Sequence, residues 1–254
     1  MNNDDEAACF ADMGFMFEGA EPSILEKFEW IKGNRIVKVT LKRADGDPGA
    51  VQSGHYLWPA APALAEHLLE RDETPTTILE LGAGCALLSL TALQVFSNLQ
   101  CLVTTDHDPG TLDRAKDNHE ITCEEVFTNQ RLLEQIIAVP TLWEPLSWGD
   151  EDAATIILGK LQCTVDRADA KFDMILGSDL IYDFDVAKPL LLTVAALMNK
   201  INHARFIMSQ SFPYDDVTET EIDNVCASLG LQRTKITDNL QQKEGVRIQE
   251  FHWK

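Results

Sequence analysis

Between residues 77 and 229 this 254-residue chain alternates short apolar runs with stretches of helical spacing, which restricts the fold more than any other feature. Residues 77–81 (TILEL), 101–105 (CLVTT), 172–176 (FDMIL) and 205–209 (RFIMS) read as strands too apolar to face water on either side. Residues 136–142 read as a further strand. Helical spacing occupies about 86–95, 110–119, 186–199 and 217–229. Strands joined by helical crossovers run parallel, with helices on both faces of one sheet. The tail, 231–237 and 246–253, predicts two strands around a polar turn. The expected fold is therefore α/β: a mostly parallel sheet with an antiparallel C-terminal edge and helices on both faces.

Upstream, residues 35–41 alternate like a strand, 44–50 read as a turn, and 63–71, behind Pro62, as a helix. Residues 1–30 carry eight acids and one lysine. They read as a flexible acidic arm with one apolar patch at Met13, Phe15, Met16 and Phe17, leaving 31–254 as the domain. Residues 151–171 read as a surface excursion, partly helical.

Charge narrows the partners. Forty-one acids against twenty-one lysines and arginines leave a formal charge of −20. Phosphate binding needs a basic patch that this sequence lacks, so nucleic acid is excluded as a partner, while a negative field draws a basic protein. The longest nearly apolar run, 190–198, falls short of the about 20 residues that span a bilayer, and the first dozen residues lack the pattern of a signal peptide. Six cysteines without a CxxC pair read as reduced thiols, not as a metal site or disulfide framework. A cytoplasmic, monomeric chain without a metal is the expectation.

The chemistry concentrates at Glu80-Leu81-Gly82-Ala83-Gly84-Cys85-Ala86, directly after a strand and opening a helix. Glycines there let a ligand approach the backbone, and Asp106, ending the next strand, stands where a carboxylate meets ribose hydroxyls. A dinucleotide would favour a third glycine where Leu87 stands. S-adenosylmethionine carries no phosphate, and the acid Glu80 tolerates its cationic end, so it is the favoured ligand. The remaining alternative is a tight turn that holds nothing. Trp148 before Gly149 in a loop implies a partner for its ring, whereas Trp143 reads as core. His107 lies on the ribose side and does not read as a base.

Four blocks resemble the seven-β-strand methyltransferases of the family that modifies lysines in non-histone proteins, often called family 16. They are 57–61 (LWPAA), 80–90 (ELGAGCALLSL), Trp148-Gly149 and 172–182 (FDMILGSDLIY). The ending 246–253 (VRIQEFHW) resembles the family's last strand. The front segment is similar to the branch that includes the fungal methyltransferase acting at the N-terminus of translation elongation factor one-alpha. The resemblance implies a Rossmann-like seven-stranded methyltransferase sheet and S-adenosylmethionine as cofactor. Gly82, Ala83 and Gly84 would line its methionine part, Asp106 would bind the ribose, and Trp148 would lie beside the adenine. Trp58 would pack near the cofactor, and Ser178 would close the pocket by backbone contact. Ala86 stands where the family usually has glycine, and Asn118 matches a family asparagine with a local hydrogen-bonding role.

Asp179 and Tyr182 follow the fourth of these strands at its carboxyl end, where open α/β sheets place ligands. As the catalytic pair, Asp179 would bind an incoming ammonium and Tyr182 would flank it by cation–π contact or hydrogen bonding. Asp179 as a helix cap is the competing reading. The loop Phe212-Pro213-Tyr214 is placed over the acceptor site. The function expected is methyl transfer to lysine or an N-terminal amine of a basic protein, such as elongation factor one-alpha. The alternatives are a small-molecule N-methyltransferase, nicotinamide-like, and an inactive cofactor-binding module.

Overall fold

The computed structural model describes residues 22–33, 35–46, 53–201, 203–236 and 245–254. Two strands, β1 (Ser23–Lys32) and β2 (Arg35–Ala44), form an antiparallel hairpin. Then come α1 (Ala60–Leu69), β3 (Thr77–Glu80), α2 (Leu87–Val95), β4 (Cys101–Asp106), α3 (Pro109–Glu125), α4 (Gln130–Ala138) and β5 (Thr141–Pro145). The second half comprises α5 (Glu151–Thr164), β6 (Met174–Ser178), α6 (Phe184–Leu197), β7 (Arg205–Gln210), α7 (Asp216–Leu229), β8 (Leu231–Ile236) and β9 (Arg247–Trp253). The seven-stranded sheet has the order β5-β4-β3-β6-β7-β9-β8, with β9 antiparallel to both its neighbours and the other pairs parallel.

Side-chain alternation in the strands feeds two separate cores. Leu79, Val103, Ile175, Phe206 and Phe251 pack with buried residues of α5, α6 and α7 on one face. Ile78, Leu102, Met174, Ile207 and Ile248 pack with α1, α2 and α4 on the other. This two-sided burial is why the parallel strands read as unbroken apolar runs. All nine residues of α2 are buried, because the hairpin lies over the helix.

Three expectations are corrected. The end of the predicted arm, from Ser23, is strand β1, whose Phe28 and Trp30 stack on each other and on the second core. The patch at Met13–Phe17, the rest of the arm through residue 21, and much of the 44–50 turn lie outside the described residues. Residues 130–138 form a helix, and its strand starts only at Thr141: Asn129 caps the helix through Leu132 N–H, and Leu132 and Ile136 recur at helical spacing. The predicted surface excursion is a crossover helix, α5. Asp150 caps it by accepting from Ala153 N–H (2.9 Å), and Ala154, Ile157 and Leu161 enter the core.

The edge of β2 that faces away from β1 is satisfied by helix side chains. Gln94 exchanges hydrogen bonds with Lys38, Thr122 with Thr40, and Asn118 with Lys42, each reaching both the N–H and the C=O. Three polar residues thus imitate a neighbouring strand and seat the hairpin on α2 and α3. Thr122→Val keeps the shape but leaves both main-chain groups of Thr40 without partners, so it should lower stability by about 2 kcal/mol in urea titration.

Candidate active site

The strand order places β4 and β6 on opposite sides of β3, so the chain winds both ways from β3 and a crevice opens at the carboxyl ends. A cleft of about 300 Å³ fills it. Gly82 and Gly84 line one wall at φ +56° and +52°. A Cβ on Gly82 would approach Leu180 Cδ2 to 2.8 Å and the Trp148 ring to 3.3 Å; one on Gly84 would lie 3.1 Å from the Gly54 carbonyl oxygen. Conformation and space both demand glycine at these two positions.

Asp106 closes the same wall. Its Oδ2 accepts from Gly84 N–H (3.1 Å) and its Oδ1 from Asp108 N–H (3.2 Å), so the carboxylate is fixed beside the cleft. His107, exposed at the rim, brings Nδ1 within 3.2 Å of Asp106 Oδ1. Ser53 and Gly54 roof the turn, and the Trp58 indole N–H donates to the Ser53 carbonyl (3.1 Å). The opposite wall carries Trp148 and Tyr182, whose rings are 6.5 Å apart. Gly149 reverses the chain behind Trp148 at φ +89°, its N–H donating to Thr193 Oγ1 (2.8 Å). Ser178 and Asp179 end β6 at the floor.

The structure therefore brings together Trp58, Gly82, Gly84, Asp106, Trp148, Ser178, Asp179 and Tyr182. It does not bring Glu80 or Ala83 to the cleft. Glu80 Oε2 accepts from Ser89 N–H (2.8 Å), which caps α2, a helix whose N-cap residue is Ala86 and offers no side chain for the purpose. Burial, with Asp106 nearby, pushes the Glu80 carboxyl up to about 8. Ala83 instead donates its N–H to Thr105 O (2.9 Å), pinning the turn to β4. Ala86 adopts φ +63° and is fully buried, so the missing third glycine costs backbone strain and leaves the cleft's width unaltered.

Asp179 is corrected in its expected contact. Only 5% exposed, its Oδ2 accepts from Ala60 N–H at the start of α1 (3.1 Å), and its Oδ1 from Ser211 N–H and Oγ (2.6 and 2.8 Å). Both oxygens accept from the protein, so the carboxylate ties α1 to the end of β7 while it also lines the cleft. It caps α1, not the helix that follows it; Asp183 caps that one. Burial moves its pKa upward. Tyr182, by contrast, is 63% exposed at the mouth. Tyr214 turns away: its hydroxyl donates to Gln210 Oε1 (2.8 Å) and its ring lies under Arg247. Trp143 is only half-buried, against the His119 ring. The roof residues Ser53 and Gly54 and the wall residue Leu180 escaped the sequence reading; Leu180 stands inside the D-x-x-Y block, which was the available signal.

A family model described as lysine methyltransferase matches residues 43–216. The chain belongs to that family. It is similar to the protein N-terminal and lysine N-methyltransferase EFM7 of Candida glabrata, 29% identical over 210 residues that cover 81% of this chain and 73% of that protein. EFM7 of Cryptococcus neoformans var. neoformans is 26% identical over 171 residues, 66% of this chain and 50% of that protein. The histone-arginine methyltransferase METTL23 of Xenopus laevis is 26% identical over 157 residues, 61% of this chain and 56% of that protein. The chain spans about half the length of these last two. Among solved structures, the small RNA methyltransferase HEN1 matches with a TM-score of 0.53 at 13% identity, covering 84% of this chain and 27% of that one. SMU.776, a putative methyltransferase complexed with SAH, matches with a TM-score of 0.50 at 10% identity, covering 89% and 56%. These likenesses show the Rossmann-like methyltransferase fold.

Methyltransferases of this family take S-adenosylmethionine, and the donor set of the cleft fits it. The walls hold two aspartates and the aromatic rings of Trp58, Trp148 and Tyr182, and no lysine or arginine is among the described residues that line them. A cationic nucleoside suits that lining, whereas a pyrophosphate does not. Asp106, held by two main-chain N–H groups, lines the cleft with acceptor capacity left that could serve vicinal hydroxyls.

Two expectations follow for the turn. The folded chain keeps a proton on Glu80 that the unfolded chain sheds near its ordinary 4.5. The folded state therefore binds more protons between about pH 5 and 8, and stability falls as pH rises through that window. Urea midpoints of Glu80→Gln should fall less steeply over this range; parallel slopes would show that the group is already ionised. Ala86→Val places a β-branched residue at φ +63° without room, and should lower stability by about 2 kcal/mol.

Proposed function

We propose that this methyltransferase acts on amine nitrogen of a basic protein in the cytoplasm, with lysine as the main acceptor and an N-terminal α-amine as a second. Translation elongation factor one-alpha is the acceptor protein we assign. The observation that carries the reading is the Asp106 carboxylate, fixed at the glycine turn of a cleft whose lining is acidic and aromatic. The names of the EFM7 relatives, which join N-terminal and lysine methylation, support the choice of acceptor.

When bound, S-adenosylmethionine supplies an electrophilic methyl group on a positively charged sulfur. The chain's own residues do the rest. Asp106 holds the sugar, and Gly82 and Gly84 let the donor's chain lie against the backbone. Trp148 and Tyr182 wall the opening, where Tyr182 flanks an arriving ammonium through its ring face. The negative charge of Asp179 at the floor favours that cation. A lysine amine, with an ordinary pKa near 10.4, must shed its proton before the lone pair can attack. The open mouth lets it leave to water, so the site needs alignment and desolvation more than a dedicated base.

Tritiated cofactor and a lysate of cells lacking this protein test the reading: a labelled band, cut and sequenced by mass spectrometry, should carry methyl groups on lysine or on the first residue of the elongation factor. Label on arginine, on small amines or on nothing would overturn it. Asp106→Ala should weaken S-adenosylhomocysteine binding in calorimetry about a hundredfold. Tyr182→Ala should leave that affinity alone and lower kcat/KM for the protein acceptor about tenfold.

A further inference from the structure

One buried amide hydrogen-bonds both the hairpin and the glycine turn. Asn118, on α3, accepts at Oδ1 from Lys42 N–H (2.7 Å) and donates from Nδ2 to Lys42 O (3.2 Å). The second proton of Nδ2 goes to the carbonyl of Cys85, 3.0 Å away. Gln94 and Thr122 serve the hairpin in the same manner but make no hydrogen bond to the glycine turn. Cys85 also touches the roof, its thiol lying 3.4 Å from the His55 carbonyl oxygen.

The held carbonyl occupies an awkward place. It belongs to the peptide between Cys85 and Ala86, with left-handed residues on either side of Cys85: Gly84 at φ +52° and Ala86 at φ +63°. An alanine in that region is strained by about 1–2 kcal/mol, and rotation of the one peptide plane would return it to negative φ. Such a rotation would swing the Cys85 carbonyl off Asn118 and loosen the turn that carries Gly84 N–H to Asp106. Hydrogen bonding by Asn118 at the carbonyl opposes it, as does the Ala86 N–H donated to Ala83 O (2.7 Å) at the other end of that peptide.

We infer that Asn118 is a positioning residue for the cofactor cradle: it locks the strained Cys85–Ala86 peptide and couples the seating of the hairpin to the placement of Asp106. The inference rests on the reading of the cleft as a nucleoside site.

Calorimetry with S-adenosylhomocysteine provides the test, with melting temperatures measured alongside. Asn118→Ala should weaken binding about tenfold, as should the milder Asn118→Ser. Adding Ala86→Gly to either variant should recover most of the loss, because glycine removes the drive to rotate the peptide. Thr122→Val, which costs the hairpin comparable bonds, should stay within about twofold of wild type. A double variant no better than the single one, or an equal loss in Thr122→Val, would reduce Asn118 to a hairpin anchor and overturn the inference. Should the Asn118 variants fail to fold, hydrogen exchange on the wild-type chain decides. Binding of the nucleoside should slow exchange at Lys42 N–H more than at Lys38 N–H, and equal protection would refute the coupling. A wild-type chain that binds no nucleoside removes the cofactor reading itself; one that binds it as tightly with alanine at position 118 sinks the role of Asn118 alone.

Discussion

Burial of β3 on both faces is the constraint from which the rest of this molecule follows. Its four residues have no exposed side, so a core must form above and below, and crossovers must leave in both directions to supply them. That two-way winding opens the crevice at the carboxyl ends of β3 and β6. The glycine turn, the Trp148 loop and the D-x-x-Y segment come to one place because each follows a strand of the same sheet.

At the carboxyl ends of β3, β4 and β6, three carboxyl groups do different work because their partners differ. Asp106 takes two main-chain N–H groups and still faces the cleft. Asp179 accepts from α1 and from Ser211, which makes it a brace between them as well as part of the cleft floor. Glu80 lies fully buried beneath the first turn of α2, where burial pushes its carboxyl up to about 8. Counting acids in a motif does not separate these roles; counting the hydrogen bonds each accepts does.

Much of this was legible beforehand, for definite reasons. The parallel sheet, its antiparallel edge and the convergence of Gly82, Gly84, Asp106, Trp148 and Tyr182 follow from apolar runs and from residues at strand ends. What escaped is what sequence spacing does not encode. Glu80 lies one residue from the glycine turn, yet its side chain points under the helix, since strand residues alternate and this one falls on the face that α2 covers. Asp179 looked like a helix cap or a ligand; it caps a helix 119 positions earlier in the chain. Residues 136–142 read as strand because Ile136, Ile137 and Val139 are β-branched, but 136–138 close a helix capped at Asn129 and the strand starts at Thr141. Strand β1 was hidden by its charges: Lys27 and Glu29 occupy the exposed face, while Glu26 shares the other with Phe28 and Trp30.

The strand order has a bearing on how this chain is made. Strand β8 pairs with β9 alone, although β9 follows it in the chain and lies between it and β7. During synthesis, β3 to β7 can assemble as they emerge, cradle included, but β8 must wait. Ile248 and Phe251, one in each core, arrive only with the last segment. A nascent polypeptide halted before Arg247 would thus carry a nearly finished nucleoside pocket beside an uncovered sheet border, and β9 is the strand that seals it.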